Sequence, residues 1–410
     1  MPDDDLPLDL FNPFDPAVQL DPYPSFHKLR ELAPVLDTPI GATVFSRWAD
    51  CSQILRDPHF SSASEHQQSG ARQMREQMAK SMGYERLSKM ADTLLLFLDP
   101  PDHTRIRQLV SKAFTPRTVE QLRPKIDDLV AGLLDDAVAK GEMDLIPDLA
   151  YPLPVVVICE LLGVPPQDHE RFQGWSKTLA AMIDPIADPT LLAGAEQAVI
   201  AFDDFFHELL EERRTNPGDD LLTALLQAEE EGERLREDEL LSLAILLLVA
   251  GHETTMNLIG NGMLALFRHP DELSALRDDP TRIRNGVEEF LRFDPPVQFT
   301  ARTATADVLV GDRQMHKGDA AFVLIGAANR DPAQFADPDR LDLARPEANR
   351  HLAFSSGIHY CLGAALARVE AQSAIGQLVS RFPNLAQAGD ERRRPNINLR
   401  GLESLPLQLA

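Results

Sequence analysis

Cysteine is scarce in this sequence, and the three residues present, Cys51, Cys159 and Cys361, lie far apart in the chain. Their number and spacing exclude a disulfide-stapled fold and a Cys-x-x-Cys zinc site. We therefore expect the protein to be located in a reducing compartment. Because a lone cysteine is most often a small buried hydrophobic residue, each of the three needs a local reason before it is given a chemical role.

Basic residues are also few, since 40 Lys and Arg stand against 64 Asp and Glu and leave a formal net charge of -24. This deficit argues against nucleic acid and anionic membranes as partners, because both are bound by basic surfaces. The N-terminal stretch MPDDDLPLDL lacks the basic segment and the apolar run of a secretion signal. The most apolar stretch, 241–251, is shorter than the roughly 20 residues of a membrane span. We expect a cytoplasmic protein.

The hydrophobic pattern is mainly helical. Apolar residues recur at helical spacing in five segments: 85–98, 103–114, 119–139, 195–214 and 237–269. Strand-like stretches are short and lie at 34–47 and 301–325, the second with turn signals at Gly311-Asp312 and Lys317-Gly318-Asp319. The sequence predicts a mainly α fold with minor β structure (α+β), organised as a single domain over residues 1–410.

The segment 237–269 would form a helix of roughly 50 Å, long enough to cross the molecule. Its apolar middle is followed by the stretch GHETT (251–255), whose residue types are disfavoured inside a buried helix. Thr254 lies four residues after Ala250, so its hydroxyl can bond that carbonyl and open a groove, where Gly251 leaves room for a flat ligand. An acid and an alcohol beside this groove can transfer protons to a ligand bound in it. A simple kink with a solvated Glu253 is an equally good interpretation of the local pattern.

Cys361 directly precedes a strong helix-forming stretch, LGAALARVEAQSAIGQLV. The free amides of a helix N-terminus lower the pKa of a thiol, and the thiolate is the form that binds metal. Gly357 and Gly363 bracket the cysteine and allow a tight loop, while His359 could add positive charge. The alternative is a cysteine of the hydrophobic core, which is the commoner role.

Two further pairs have helical spacing: Glu289 with Arg292, and His103 with Arg107. Residues three or four apart on a helix can interact. Taken alone, each pair is an ordinary surface feature that contributes little to stability.

As an ordered set, these motifs resemble the cytochrome P450 family. FSSGIHYCLG (354–363) is similar to the family's haem-binding loop, AGHETT (250–255) to its oxygen-activation motif, and Glu289-x-x-Arg292 to its Glu-x-x-Arg pair. The likeness extends in order from DPYPSFHKLRELAPV near the start to GLESLPLQL at the end. Ser355 stands where glycine is commonest in the loop, and Glu253 stands where many bacterial members have aspartate.

The resemblance implies a long central helix that crosses over a buried haem b, with the Cys361 thiolate as the axial iron ligand. Glu253 and Thr254 would be the catalytic pair, supplying protons for the cleavage of dioxygen. The other implied haem contacts are His103, Arg107, Ala250, Gly251, Arg302, Phe354, Gly357, His359 and Gly363. Glu289 and Arg292, with Arg340 as the third member, would hold the scaffold on the cysteine side.

Family position also implies a largely aliphatic substrate pocket, covered by the segment 60–93, with Gln298 as a polar anchor. Its implied lining is Leu94, Leu95, Leu96, Leu246, Val249, Ala250, Val297, Gln298 and Leu402. The implied substrate is a largely apolar organic molecule, such as a polyketide or macrolide, a terpenoid or steroid, or a fatty acid.

The implied activity is that of a monooxygenase that hydroxylates or epoxidises this substrate and acts as a monomer. Electrons would come from a separate ferredoxin or flavodoxin with an NAD(P)H-dependent reductase. We expect a local cationic patch on the cysteine side to bind that partner, formed by Arg105, Lys112, Arg117, Arg350, His351 and Arg368. A peroxide-driven peroxygenase and a non-catalytic haem-thiolate sensor are the alternatives.

Overall fold

The computed structural model describes residues 10–13, 15–39, 41–63, 77, 81–84, 86–87, 90, 93–183, 192–228 and 234–409. Within these residues helices predominate and strands are short, so the predicted fold class is confirmed. The segment 60–93, predicted to cover the pocket, lies largely outside the described residues.

The α-helices are α1 Pro16–Leu20, α2 Tyr23–Leu32, α3 Trp48–Arg56, α4 Asp102–Ala113, α5 Pro116–Gln121, α6 Arg123–Lys140, α7 Pro152–Leu161, α8 His169–Ile183, α9 Leu192–Thr215, α10 Leu221–Gln227, α11 Glu237–Arg268, α12 Pro270–Asp278, α13 Ile283–Phe293, α14 Ile325–Ala328 and α15 Ala364–Arg381. Short 3-10 turns lie at Leu95–Phe97, Pro166–Asp168, Pro280–Arg282, Ala348–Arg350 and Gly357–His359, and one π-helical turn at Ile146–Ala150.

The strands are β1 Val35–Asp37, β2 Ala42–Phe45, β3 Phe60–Ser61, β4 Met143–Asp144, β5 Phe299–Ala304, β6 Val308–Val310, β7 Arg313–Met315, β8 Ala320–Leu324, β9 Ala386–Gln387, β10 Arg392–Arg393, β11 Leu402–Ser404 and β12 Pro406–Gln408. Five of them form the largest sheet, in the order β1-β2-β8-β5-β3. In this sheet β2 and β8 run parallel, and the other neighbours are antiparallel.

The helix α11, called here the central helix, is the element around which the other helices pack. It has 32 residues and contacts α7, α8, α13 and α15. Of the described helices, it alone is long and apolar enough to span a membrane, but 78% of its most apolar window is buried inside the protein. Its apolar character is therefore explained by packing, as expected for a core helix.

The predicted helix 119–139 is divided in the structure. The helix α5 ends at Gln121 and α6 begins at Arg123, with Pro124 in its first turn. Proline has no amide hydrogen and fits the first turn of a helix but not its interior, so α5 cannot continue through it. In the predicted helix 85–98, the described part includes only a 3-10 turn at Leu95–Phe97 as a continuous element.

The segment 301–325 forms one of the two predicted hairpins in the expected way. β6 and β7 pair through Val310 and Arg313 across the turn Gly311-Asp312, where Gly311 has a φ of 54°. Such a positive φ favours glycine, so the turn signal is explained. The turn at 317–319 leads instead into β8, which pairs with β5 and β2.

A buried carboxylate, Asp294, joins three distant parts of the chain. It accepts hydrogen bonds from Tyr23 Oη at 2.6 Å and Arg400 Nε at 2.7 Å, and Arg393 Nη2 lies 3.4 Å away. Burial alone would raise the pKa of Asp294, but the positive charges of Arg400 and Arg393 outweigh it and lower the pKa to about 2. The network attaches the hairpin β10–β11 and helix α2 to the end of α13.

Replacing Asp294 with asparagine should lower the free energy of unfolding at pH 7 by roughly 3 kcal/mol, because it leaves buried arginines without their counter-charge. The folded pKa lies below the ordinary value of 3.8. The carboxylate therefore stabilises the fold above about pH 4, and this contribution is lost as the pH falls toward 2. Urea unfolding from pH 7 to pH 3 should show the gap between wild type and Asp294→Asn narrowing in acid. Asp278→Asn, at an exposed site, serves as the control, and a gap independent of pH would contradict the assignment.

Candidate active site

The central helix has the threonine-to-carbonyl hydrogen bond that its sequence predicts. Thr254 Oγ1 donates to the Ala250 carbonyl at 2.8 Å, and Thr255 Oγ1 donates to the Gly251 carbonyl at 2.9 Å. The helix continues unbroken through this stretch, so the predicted groove stays a prediction. A Cβ at Gly251 would lie 3.8 Å from Ile158, which is an ordinary contact, and the approach of a ligand to this glycine also stays a prediction.

Glu253 is nearly buried and is held by an arginine that the sequence analysis did not identify. Arg394 Nη1 donates to Glu253 Oε1, and Arg394 Nη2 donates to Asn257 Oδ1. On its other side, Glu253 Oε2 lies 3.7 Å from His252 Nε2. The alternative of a solvated Glu253 is therefore wrong, because only 10% of its side chain is exposed.

The loop 354–363, called here the cysteine loop, presents Cys361 just before the helix α15. The Cys361 amide donates to the Phe354 carbonyl at 2.9 Å, which closes the loop on itself. Burial raises the pKa of the Cys361 thiol, while the amides of Gly363 and Ala364 and the charge of Arg107 favour the thiolate. An amide-bound sulfur at the start of a helix is suited to ligate a metal as a thiolate.

Two residues of the cysteine loop have left-handed backbone conformations, Ser355 with φ of 61° and Gly357 with φ of 69°. For serine this conformation is uncommon, and its hydroxyl is buried without a hydrogen-bond partner within the described residues. Gly357 is required for space as well, because a Cβ there would lie 2.4 Å from the Leu55 carbonyl oxygen. The cysteine loop therefore packs directly against α3.

Four basic side chains converge beside the cysteine loop. The ring centroids of His103 and His359 lie 4.4 Å apart with the planes tilted by 53°, Arg302 is buried on β5, and Arg107 Nη2 donates to the Tyr360 carbonyl at 2.7 Å. Burial, followed by the positive charges of Arg302, His103 and Arg107, lowers the pKa of His359 to about 3. Burial lowers the pKa of Arg302 to about 10.

Within the described residues, Asp99 is one carboxylate whose charge acts on His103 and Arg302, and it is a single acid beside four bases. Both nitrogens of His103 and Nε2 of His359 are buried without a partner in the described part of the chain. Among the described residues, Arg302 donates to Thr300 Oγ1 and Ala301 O of its own strand. A buried guanidinium requires a counter-charge, and buried imidazole nitrogens require hydrogen-bond partners. A ligand with two carboxylates fits the cluster, and the two propionates of a haem beside the Cys361 sulfur meet this requirement.

Behind the cysteine loop, Glu289 and Arg292 form a fully buried pair with Nε–Oε2 and Nη2–Oε1 distances of 2.7 and 2.8 Å. The third member is Arg345, whose Nε donates to both Glu289 oxygens, so the prediction of Arg340 is wrong. Arg340 contributes its carbonyl oxygen, which accepts from Arg292 and Arg345. A turn that points this carbonyl inward directs the exposed Arg340 side chain to solvent.

The predicted pocket residues fall into two groups. Leu94 and Leu95 are buried, Leu96 is 40% exposed, and the turn that they form packs against the central helix, which carries Leu246 and Val249.

The other three residues lie elsewhere in the fold. Gln298 is fully buried, and its Nε2 donates to the Pro295 carbonyl at 2.7 Å, while its Oε1 has no partner within the described residues. Its role as a polar anchor stays a prediction. Val297 packs in the sheet cluster, and Leu402 lies in the core against Gly260.

The predicted cationic patch is only partly formed. Arg105 pairs with Glu239 at the start of the central helix, while His351 and Arg368 both bind Glu288. These three cations are therefore neutralised by partners. Lys112, Arg117 and Arg350 are exposed, and a groove of about 440 Å³ runs past Arg350, Trp48 and Tyr360.

Comparison with known proteins gives a consistent result. The family model described as Cytochrome P450 matches residues 59–409. The chain is 43% identical over 403 residues to cytochrome P450 107B1 of Saccharopolyspora erythraea, covering 96% of each protein. It is 38% identical over 403 residues to the 6-deoxyerythronolide B hydroxylase of the same organism, covering 96% of this chain and 97% of that protein. Among solved structures, it is similar to the Bacillus subtilis 168 bacillaene polyketide synthase cytochrome P450 PksS, with a TM-score of 0.87, 38% identity, and coverage of 98% of this chain and 100% of that chain.

Gly357→Ala should sharply reduce the haem content of the purified protein, because the added Cβ meets the Leu55 carbonyl and the backbone conformation disfavours alanine. The matched control is Gly376→Ala in α15, where the nearest atom to a Cβ would be 3.8 Å away. Haem per polypeptide, measured by absorption, should fall in the first variant only. Equal haem content in both variants would show that the packing of the cysteine loop against α3 is not needed for haem binding.

Proposed function

The chain belongs to the cytochrome P450 family, and from this membership we propose that it is a haem-thiolate monooxygenase that inserts one oxygen atom of O2 into a largely apolar organic substrate. The observation that supports this most strongly is the pairing of an amide-bound Cys361 sulfur with a neighbouring cluster of unbalanced buried bases. That combination suits a flat dianionic cofactor with a metal at its centre.

We assign haem b to this place, where the Cys361 thiolate would bind its iron. When bound, the haem would supply the iron at which dioxygen is reduced, and thiolate ligation favours cleavage of the O–O bond. His103, Arg107, Arg302 and His359 would hold its propionates by charge and hydrogen bonds. Phe354, Gly357 and Gly363 shape the loop around the sulfur, and Ala250 and Gly251 would contact the haem from the central helix.

The chain's own contribution to the reaction is the handling of protons. The Thr254 hydroxyl donates its hydrogen to the Ala250 carbonyl, and its oxygen can still accept a hydrogen bond. Glu253 is the adjacent ionisable group, and its carboxylate can take up a proton and pass it on. The buried Leu94, Leu95 and Val249 keep bulk water away from the same region.

The defining test is the spectrum of the reduced protein with carbon monoxide. The wild type should show the strongly red-shifted Soret band of thiolate-ligated haem, and Cys361→Ala should lose it. Cys159→Ala, at a buried cysteine of α7, is the matched control and should keep the band. A histidine-type band that Cys361→Ala leaves unchanged would overturn the assignment of the ligand.

Thr254→Ala separates a monooxygenase from the two alternatives. In a monooxygenase this variant should consume NAD(P)H with less product and more hydrogen peroxide, because the proton route is damaged. Thr178→Ala is the control, since Thr178 makes the same kind of bond to the Gly174 carbonyl in α8. Peroxide-driven turnover above ferredoxin-driven turnover would favour a peroxygenase. Absence of product with every substrate tried would favour a sensor.

Among the substrate classes, we propose a polyketide or macrolide. A cleft of about 700 Å³ opens beside the start of the central helix, with Val199, Leu241 and Ile245 in its wall. Its polar lining has more carboxylates than bases: Asp203, Asp204, Glu208, Glu237 and Asp238 against Arg86 and His207. We propose that substrate enters by this cleft, where such a rim disfavours the carboxylate of a free fatty acid and tolerates a neutral ring. The similarity to a 6-deoxyerythronolide B hydroxylase supports the same class.

Titration of the ferric holoenzyme should show a saturable Soret shift with 6-deoxyerythronolide B, used as the neutral probe, and weaker binding of palmitate. The double variant Asp204→Asn, Glu208→Gln should tighten palmitate binding by about threefold at low ionic strength and leave the neutral probe unchanged. Tighter binding of palmitate than of the neutral probe in the wild type would contradict the proposed class.

We propose that the protein works in the cytoplasm as a monomer and a single domain, with electrons from a separate ferredoxin or flavodoxin. The exposed Lys112, Arg117 and Arg350 would attract an acidic partner of this kind. A reduction rate that does not depend on salt would argue against this docking surface.

A further inference from the structure

The hairpin β10–β11 places one arginine against the acid of the central helix. Arg394 begins the turn between the two strands, and its amide donates to the Gly401 carbonyl at 3.2 Å. The residues beside these two, Arg393 and Arg400, are both bound to Asp294. The base of the turn is therefore fixed, and the Arg394 side chain extends from a rigid support.

The guanidinium of Arg394 binds two residues that are one helical turn apart. Nη1 binds Glu253 and Nη2 binds Asn257, while Nε of Arg394 and Nδ2 of Asn257 are buried without partners in the described residues. A Cβ at Gly401 would lie 1.8 Å from Asn257 Oδ1 and 2.8 Å from Arg394 Nη2. Glycine at this position is thus needed to let the two side chains meet.

The two side chains of this contact differ in their exposure to solvent. The side chain of Glu253 is 10% exposed and that of Arg394 is 29% exposed, so the arginine lies between the acid and solvent. A guanidinium does not release its proton at any pH at which the protein is folded, so Arg394 cannot carry protons itself. For Glu253 to take a proton from water, its carboxylate must first separate from Arg394.

We propose that Arg394 is a positioning residue that holds Glu253 in an ion pair, called here the latch, and thereby limits the entry of protons to Thr254. The inference rests on the proposed monooxygenase function, in which Glu253 supplies protons. Release of the latch exchanges one charge-assisted hydrogen bond for contacts with water. The free energy of such a bond corresponds to a change in rate of about tenfold.

The test compares Arg394→Gln, Arg394→Lys, Glu253→Gln and the double variant Arg394→Gln, Glu253→Gln as holoenzymes. With excess ferredoxin and reductase, NAD(P)H-driven consumption of dioxygen is measured in H2O and D2O, since this reaction needs protons whether or not product forms. Arg392→Gln is the control, because Arg392 lies in the same hairpin, is 68% exposed and has Glu403 as its ion-pair partner at 3.7 Å.

A latch predicts that Arg394→Gln consumes dioxygen about tenfold faster than wild type, with a smaller solvent isotope effect. Arg394→Lys and Arg392→Gln should stay near wild type, and the double variant should behave as Glu253→Gln does. The latch is overturned if Arg394→Gln is unchanged or slowed, or if it still accelerates the reaction when Glu253 is glutamine.

Thermal unfolding gives a second readout that does not depend on turnover. Arg394→Gln should lower the melting temperature more in the wild type than in the Glu253→Gln background, because the two side chains stabilise each other. If Glu253→Gln leaves both the rate and the isotope effect unchanged, the proposed proton role of Glu253 fails and the latch fails with it. If Glu253→Gln is slow but Arg394→Gln matches wild type, the latch alone is wrong.

Discussion

The burial of charge in an apolar interior is the constraint on which this structure depends. A buried carboxylate or guanidinium costs several kcal/mol unless a partner is already in place. Here Glu289 is met by Arg292 and Arg345, and Glu239 at the start of the central helix is met by Arg105. The base cluster beside Cys361 departs from this pattern, since His103 has buried nitrogens without partners in the described part of the chain. Glu370 departs from it in another way, because burial raises its pKa to about 8 and so favours the uncharged form. At the base cluster, the proposed haem would complete the charge balance.

The same constraint explains which parts of the site could be predicted from the sequence. The Thr254 bond to Ala250 and the pairing of Glu289 with Arg292 depend on helical spacing alone, so the pattern was sufficient. The partner of Glu253 is Arg394, which is 141 residues away along the chain. No spacing rule connects two residues at that distance, and only the folded hairpin β10–β11 brings them together.

Errors in prediction arose where backbone direction decides what a side chain does. Arg340 and Arg345 are both arginines in one irregular stretch, and the turn that starts at Asp337, with φ of 44°, sends one carbonyl inward and leaves the other side chain to reach Glu289. Gln298 was predicted as a pocket residue, and its backbone position beside Pro295 engages the amide nitrogen within the protein. The fold class followed from hydrophobic periodicity, because helix burial is repeated over many residues and a single misjudged position does not change it.

The hairpin β10–β11 connects the structural ion network with Glu253, the proposed proton-handling acid. Arg393 and Arg400 bind Asp294 at the end of α13, and Arg394, the neighbour of Arg393, binds Glu253 and Asn257. A shift of the hairpin relative to α13 therefore moves the guanidinium of Arg394, because Arg394 follows Arg393 directly in the chain. Interactions that look purely structural, such as those of Asp294, thus set the position of a charge beside Glu253. If Glu253 handles protons as proposed, the stability of the C-terminal hairpin and the control of protons cannot be varied independently.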